Sequence, residues 1–371
     1  MSTKTPAAPW LRATDLRGLS RLAVDASVGI VGIAETLHHT ITAVAPPLGR
    51  PKAPPRPGPS ALVYGAVRGT MGLVGRTVDR AFALVTPPEA SGHAGAPGRE
   101  AALAALNGVW GDHLEASGNP LAIRMALRVD GRPLDLSTLA DPQRRLLVLV
   151  HGLCMNDGQW QRQGHDHGRA LAAELGFTPL WLHYNSGRSV AANGADLAAQ
   201  LQQLVATWPV PVDELAIVGH SMGGLVARAA LANAGRGAAW PKRLKKIAFL
   251  GTPHRGAPLE RGGHLVDTLL GVSPYAAPFA RLGRARSAGI TDLRHGLPAK
   301  ALPRGVQALA LAATRGGDAA SLASRTVGDG LVPVASALGL PGAETIVVTV
   351  ADHWDLLSRR DVYERLRGWL G

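Results

Sequence analysis

Gly219-His220-Ser221-Met222-Gly223 sets one serine between two glycines. Before it, ELAIVG is a short apolar run of strand type; after it, GGLVARAALA is a run of helix type. A serine on so sharp a strand-to-helix turn is held in strained backbone geometry. Its hydroxyl projects at the edge of a sheet, and the helix N-terminus behind it favours developing negative charge. Gly219 and Gly223 give the neighbouring backbones room to approach, and His220 completes the elbow. The chemistry this predicts is nucleophilic attack by Ser221. A structural glycine turn is the plain alternative, and the strand before and helix after favour the nucleophile.

A serine nucleophile needs a base, and the base needs an acid to orient it. The apolar run 345–351 leads into DHWDLL, which places His353 just past the carboxyl end of a strand. The run 307–313 is followed by RTVGDGLVP, which places Asp329 in the next loop. The order Ser221, Asp329, His353 is that of a nucleophile elbow with its acid and base on the later strands. Asp318 is the rival acid, in an earlier and more polar position. Asp352 and Asp355 flank the histidine and read as solvated or as structural at the next helix start. The negative charge of an acyl-transfer intermediate needs two backbone donors. Met222 N–H directly follows the nucleophile. Leu153 N–H lies in the loop HGLCMND, which follows the apolar run 144–150. Cys154 is beside it, and the placement of Ser221 leaves it no nucleophilic role.

These residues must be positioned by a larger pattern. Strands are expected at 144–150, 178–184, 214–220, 245–252, 307–313 and 345–351, with helices at 99–116, 158–176, 193–208, 222–235 and 355–370. Residues 121–136 read as two short strands around a turn at Asp130-Gly131. Strands alternating with helices make an α/β fold with a doubly wound, mostly parallel sheet. The catalytic domain is expected over 99–371. The gap between its strands at 245–252 and 307–313 exceeds one crossover and reads as a cap inserted at about 257–304.

Residues 1–98 are more than that domain needs. A helical stripe runs through 14–45, then seven prolines fill 45–60, then a second stripe covers 61–86 with Gly65, Gly69, Gly72 and Gly75 on its other positions. This reads as a helical hairpin whose glycines allow close helix packing. Both stripes are expected to pack as passive structure. The functional alternative docks them on a lipid or polymer surface, or on another subunit.

The motifs LVLVHGL, VGHSMGGLVAR, FLGTPHRGAP, VGDGLVP and DHWDLL together resemble the α/β-hydrolase superfamily, within it the lipase and PGAP1-like deacylase branch. The resemblance covers about 144–371 and leaves the hairpin aside. It implies the α/β-hydrolase fold and hydrolysis of carboxylic esters, often lipophilic, with no organic cofactor. It places Gly251-Thr252-Pro253-His254 at the rim of the site, with His254 as a structural or substrate-wall residue. A thioesterase or an intracellular polyester depolymerase would use the same triad, and an alcohol in place of water would make the reaction acyl transfer. A non-enzymatic, membrane-associated scaffold of the same fold is the reading from another class. The intact Ser221, Asp329 and His353 set argues against it.

Composition bounds the rest. Of 371 residues, 46% are apolar and 18% charged, which supplies a large core. A single cysteine excludes an intramolecular disulfide and a cysteine zinc site. His165-Asp166-His167 falls within the helix expected at 158–176 and reads as a surface feature, so no metal is expected. The net charge is +12, but the positives are scattered, and no nucleic-acid-binding signature accompanies them. The N-terminal residues have no continuous apolar segment of signal-peptide type, so the expected location is cytoplasmic, with contact to a membrane surface only through the hairpin.

Overall fold

The structure, a computed structural model, describes residues 12, 14–28, 59–85, 97–257, 287–298, 300–319, 321 and 327–371. It divides into two units, one of Pro9–Ala90 with Ser117–Leu121, the other of Met1–Ala8, Ser91–Ala116 and Ala122–Gly371.

The larger unit is built on an eight-stranded sheet in the order β2-β1-β4-β3-β5-β6-β7-β8. Its strands are β1 (Ala126–Val129), β2 (Arg132–Pro133), β3 (Arg145–Val150), β4 (Phe177–His183), β5 (Glu214–His220), β6 (Leu244–Leu250), β7 (Gln307–Thr314) and β8 (Glu344–Thr349). From β4 through β8 every pairing is parallel, while β1 runs antiparallel to β2 and to β4. Asp130 and Gly131 both take positive φ, 52° and 72°, in the turn that joins β1 to β2. Strands covered on both faces read as unbroken apolar runs, and Leu146 through Val150, Leu215 through Val218 and Ile247 through Leu250 are fully buried.

The helices of this unit are α3 (Pro97–Ala116), α4 (His167–Leu175), α5 (Val190–Thr207), α6 (Met222–Ala232), α7 (Trp240–Arg243), α8 (Ala288–His295), α9 (Val334–Ala337) and α10 (Arg360–Leu370). α5 and α6 pack closely because a Cβ on Gly194 would lie 2.4 Å from that of Ala229. The helix expected over 158–176 is not continuous. A 3₁₀ turn occupies Asp157–Trp160, and α4 starts only at His167, where the Asp166 side chain caps it. Gln163 and Gly164 take φ of 52° and 76° between them, which no right-handed helix can pass through. The C-terminal helix is broken in the same way, into a 3₁₀ turn at Asp355–Leu357 and α10, with Arg359 extended at φ −66° and ψ 138°. Of the expected cap, residues 258–286 lie outside the described residues. Its described part is α8 and the chain that follows.

β3 pairs with β4 on one side and β5 on the other. The chain therefore reverses its winding direction at β3, and the loops after β3 and β5 open at the same carboxyl edge, where ligands of such sheets bind.

In the smaller unit, residues 14–28 form α1 and Pro59–Val85 form α2. Asp79 of α2 receives both guanidinium groups of α1, with Arg17 Nε and Arg21 Nε each 2.6 Å from Oδ1. Hydrogen bonds from Arg17 and then Arg21 hold its carboxyl well below the usual carboxylate range. The proline-rich stretch 45–60 does not stop short of the helix, for α2 begins at Pro59, since a proline needs no N–H partner in the first helical turn. The remainder of the first stripe, from 29, and most of the proline segment lie outside the described residues. The described stripe residues are only partly covered, with Met71 and Val78 half-buried. Leu16, Leu19, Val63, Val67 and Val74 are exposed, while Asp15 and Gly18 are buried. A Cβ on Gly65 or Gly69 would meet nothing within 4 Å.

Candidate active site

Ser221 stands between β5 and α6 at φ 53° and ψ −125°. A non-glycine residue there is strained by roughly 1–3 kcal/mol, and the neighbours that force it are identifiable. Ser221 N–H donates to Leu250 O of β6 at 2.8 Å. A Cβ on Gly223 would lie 2.2 Å from Val150 O, one on Gly219 2.6 Å from Gly224 Cα, and one on Gly152 3.0 Å from Ser221 Cβ. The chain thus turns so tightly that β3, its following loop and α6 touch backbone to backbone around the serine, which is 5% exposed.

His353 follows β8 and Asp329 follows β7, and both are about 1% exposed. His353 Nδ1 donates to Asp329 Oδ2 at 2.6 Å. The other carboxylate oxygen accepts Leu331 N–H at 2.9 Å and Val332 N–H at 2.7 Å. The carboxylate is therefore fixed by its own turn, in which Gly328 and Gly330 supply φ of 58° and 98°. His353 Nε2 is buried and has no hydrogen-bond partner, so the bond to Ser221 Oγ is not made in this structure. The imidazole is wedged from two sides. Gly251, at φ 58°, lies so close that a Cβ would be 3.0 Å from His353 Cε1, and the His220 ring centroid is 4.7 Å from that of His353. His220 Nε2 donates to His353 O at 3.1 Å. Burial, then the nearby His353 ring, depress the His220 pKa well below its ordinary value, so it stays neutral.

Leu153 and Met222 are both fully buried, at the loop after β3 and the start of α6. Among the described residues, neither backbone N–H donates a hydrogen bond. The loop that carries Leu153 is held at both ends. The Tyr184 hydroxyl donates to His151 O at 2.8 Å, and its ring stacks on the His151 ring at 4.3 Å. At the far end Asp157 accepts His183 Nδ1 at 2.8 Å and Arg128 Nη1 at 3.1 Å. Sequence reading passed over these anchors. Their only signal was that Asp157 closes the HGLCMND run and that His183-Tyr184 ends a strand at the same sheet edge.

The other sequence-level candidates lie apart from the pair. Asp318 is exposed in the turn after β7, and it is Asp329 that meets His353. Asp352 and Asp355 bond within the turn that leads into the 3₁₀ segment, with Asp352 Oδ1 accepting Trp354 N–H and Asp355 Oδ2 accepting Asp352 N–H. His254 is buried against Phe249, and its Nδ1 accepts from Arg228 Nη1 at 3.2 Å. Cys154 is buried, and burial pushes its thiol up to about 12, which removes thiolate chemistry near neutral pH. His165-Asp166-His167 is not a surface feature. His167 is fully buried, accepts from His165 Nε2 at 2.8 Å and donates from Nε2 to Leu356 O at 3.1 Å. The reason is the broken helix, which turns His167 inward at the start of α4. Among the described residues no group of three or more His, Cys, Asp or Glu side chains could hold a metal ion.

A mostly parallel sheet with a strained serine on the β5–α6 turn, and a His–Asp pair after its last two strands, defines the α/β-hydrolase fold. Residues 142–278 match the family model of the PGAP1-like alpha/beta domain, so the resemblance read from the motifs holds over this stretch. No curated protein matches the chain in sequence. Among solved structures, the mature Bacillus licheniformis lipase BlEst2 is similar at 20% identity and a TM-score of 0.44, covering 66% of this chain and 98% of that one. The esterase RhEst1 from Rhodococcus sp. ECU1013 is similar at 17% identity and a TM-score of 0.41, covering 67% of this chain and 98% of that one. The carboxylesterase CesB from Bacillus subtilis follows at 14% identity and a TM-score of 0.39, covering 62% and 84%. At such values the fold assignment rests on the sheet itself. No described helix is long and apolar enough to cross a membrane.

Proposed function

We propose that this protein hydrolyses carboxylic esters of lipophilic type through an acyl-enzyme on Ser221. The observation that carries the reading is the strained serine at the elbow, beside an imidazole whose Nδ1 is committed to Asp329 and whose Nε2 is free. With its proton held on Nδ1, His353 offers a lone pair at Nε2 to the Ser221 hydroxyl. The bond between Oγ and Nε2 forms in the substrate complex. Oγ attacks the ester carbonyl carbon as its proton passes to Nε2. The oxyanion takes the unclaimed N–H groups of Leu153 and Met222. The tetrahedral intermediate collapses, the C–O bond to the alcohol breaks, and His353 returns the proton to the leaving oxygen. Water then repeats the sequence on the acyl-enzyme and releases the acid. No organic cofactor or metal enters these steps. A thioester or polyester substrate would follow the same path, and p-nitrophenyl esters of graded chain length, run beside thioester and polymer substrates, separate these cases.

The decisive experiment is active-site labelling. A fluorophosphonate probe is expected to modify the wild type and not Ser221→Ala, which loses on the order of 10⁶ in turnover. Labelling that survives in the mutant overturns the assignment. For α1 and α2, the exposed stripe residues Leu16, Leu19, Val63, Val67 and Val74 support docking on a lipid surface, and the net charge of +12 adds attraction to anionic lipid.

A further inference from the structure

Arg228 lies seven residues after Ser221, about 10 Å along the α6 axis. It is only 7% exposed, yet among the described residues no carboxylate pairs with it. Its two hydrogen bonds go to neutral acceptors, from Nη1 to His254 Nδ1 at 3.2 Å and from Nη2 to Pro298 O at 2.6 Å. Burial and the nearby guanidinium push His254 down to about 3, so it stays uncharged and offers no compensation. A guanidinium keeps its charge even when buried. Burying an unpaired charge costs several kcal/mol unless an opposite charge meets it.

The same side chain borders a cavity of about 430 Å³, open on one side, between the start of α5, the last turns of α6 and residues 297–303. That volume falls within the ~300–1,000 Å³ typical of small-molecule sites. Its wall is Leu231, Leu297, Leu302, Pro303 and a set of alanines. Among the described residues, the charged ones on it are Arg228 and Lys300, Asn233 adds an amide, and no Asp or Glu lines it. None of Ser221, Asp329 or His353 borders it.

We propose that this cavity binds a carboxylate carried on an aliphatic chain. A guanidinium has five N–H donors. The carboxylate takes those that His254 and Pro298 leave over, with Lys300 at the mouth, and the chain lies on the leucines. A neutral lipid would leave the buried charge unmet, a cation would be repelled, and a polyanion without an apolar tail would leave the leucine wall unused. The site is independent of the ester-hydrolase reading, although a fatty acid is also what that reaction would release.

Calorimetric titration of the full chain with sodium decanoate, kept below its micelle concentration, tests it, with decanol and decyltrimethylammonium as matched controls. One saturable decanoate site is expected, absent for both controls. It should persist in Ser221→Ala, which separates it from the proposed catalytic site. Arg228→Gln should weaken decanoate about 10- to 100-fold, the worth of a hydrogen bond to a charged group. Ala232→Trp, at an exposed position on the rim, should abolish binding by filling the space, and it decides the matter if the arginine variant does not fold. The proposal is overturned if decanoate fails to bind the wild type, if decanol or the cation binds as tightly, or if folded Ala232→Trp binds decanoate unchanged.

Discussion

Replacing Asp329 by Asn tests the acid with almost no change of shape. Oδ1 is pinned by the N–H groups of Leu331 and Val332 at 2.9 and 2.7 Å. An asparagine must keep its carbonyl oxygen there, because an amide nitrogen cannot accept those two bonds. Its NH₂ group therefore occupies the Oδ2 position, 2.6 Å from His353 Nδ1. That nitrogen then has to accept, and the imidazole proton moves to Nε2, where it blocks uptake of the Ser221 proton. The same change in Ser-His-Asp triads elsewhere costs about 10⁴ in kcat, or ~5.4 kcal/mol of barrier at 1.36 kcal/mol per tenfold. The fold should survive, since every hydrogen bond of the turn is retained and a buried charge is removed. The assay is kcat/KM on p-nitrophenyl butyrate, with a urea transition to confirm folding and Asp318→Asn as the matched control. An Asp329→Asn protein with more than a tenth of wild-type activity, or an inactive but folded Asp318→Asn, refutes the reasoning.

Gly223→Ala should both destabilise and inactivate. Its Cβ would stand 2.2 Å from Val150 O and 2.5 Å from His151 O, both backbone. A shift of about 1 Å in the Leu153 loop is worth on the order of 10² in rate, and wild-type turnover in the variant would show that the close approach is unnecessary. Stability should fall in acid. Burial holds His151 and His254 at about 3 and His167 at about 4, so the unfolded chain binds more protons between those values and its ordinary 6.5. Stability is full above pH 6.5 and is lost as pH falls, by roughly 2 kcal/mol per histidine at pH 5. Equal urea midpoints at pH 7 and pH 5 would falsify this. Removal of the hairpin, in a chain beginning near residue 99, should preserve turnover of short soluble esters. It should also reduce binding to anionic vesicles; unchanged vesicle binding, or an unfolded product, removes the docking role.

Much of the larger unit was legible because its signals are local. The runs LLVLV and LAIVG inside β3 and β5 are apolar throughout, and only a strand covered on both faces reads that way, so both strands lie within a residue of expectation. Asp130-Gly131 announced its turn because both positions need positive φ. The elbow could be read because strand, Gly-x-Ser-x-Gly and helix are contiguous. Boundaries set by a single backbone angle were not legible. Gln163 and Arg359 are ordinary helix formers by type, and their conformations come from contacts made elsewhere.

Tertiary structure alone decided which charges and rings meet. Sequence position favoured Asp329 over Asp318 as the acid, but the 2.6 Å bond that pairs it with His353 is a tertiary contact between the loops after β7 and β8. The burial of His167, the Arg128–Asp157–His183 anchor and the uncompensated Arg228 all join residues from separate elements. So does the exposure of Leu16, Leu19, Val63, Val67 and Val74, since a period of three or four residues fixes which side chains share a face but not what that face meets. Periodicity and local dihedral demand are properties of neighbouring residues. Pairing across the sheet edge depends on how far apart in space the folded chain brings its distant parts, and no short window of sequence holds that distance.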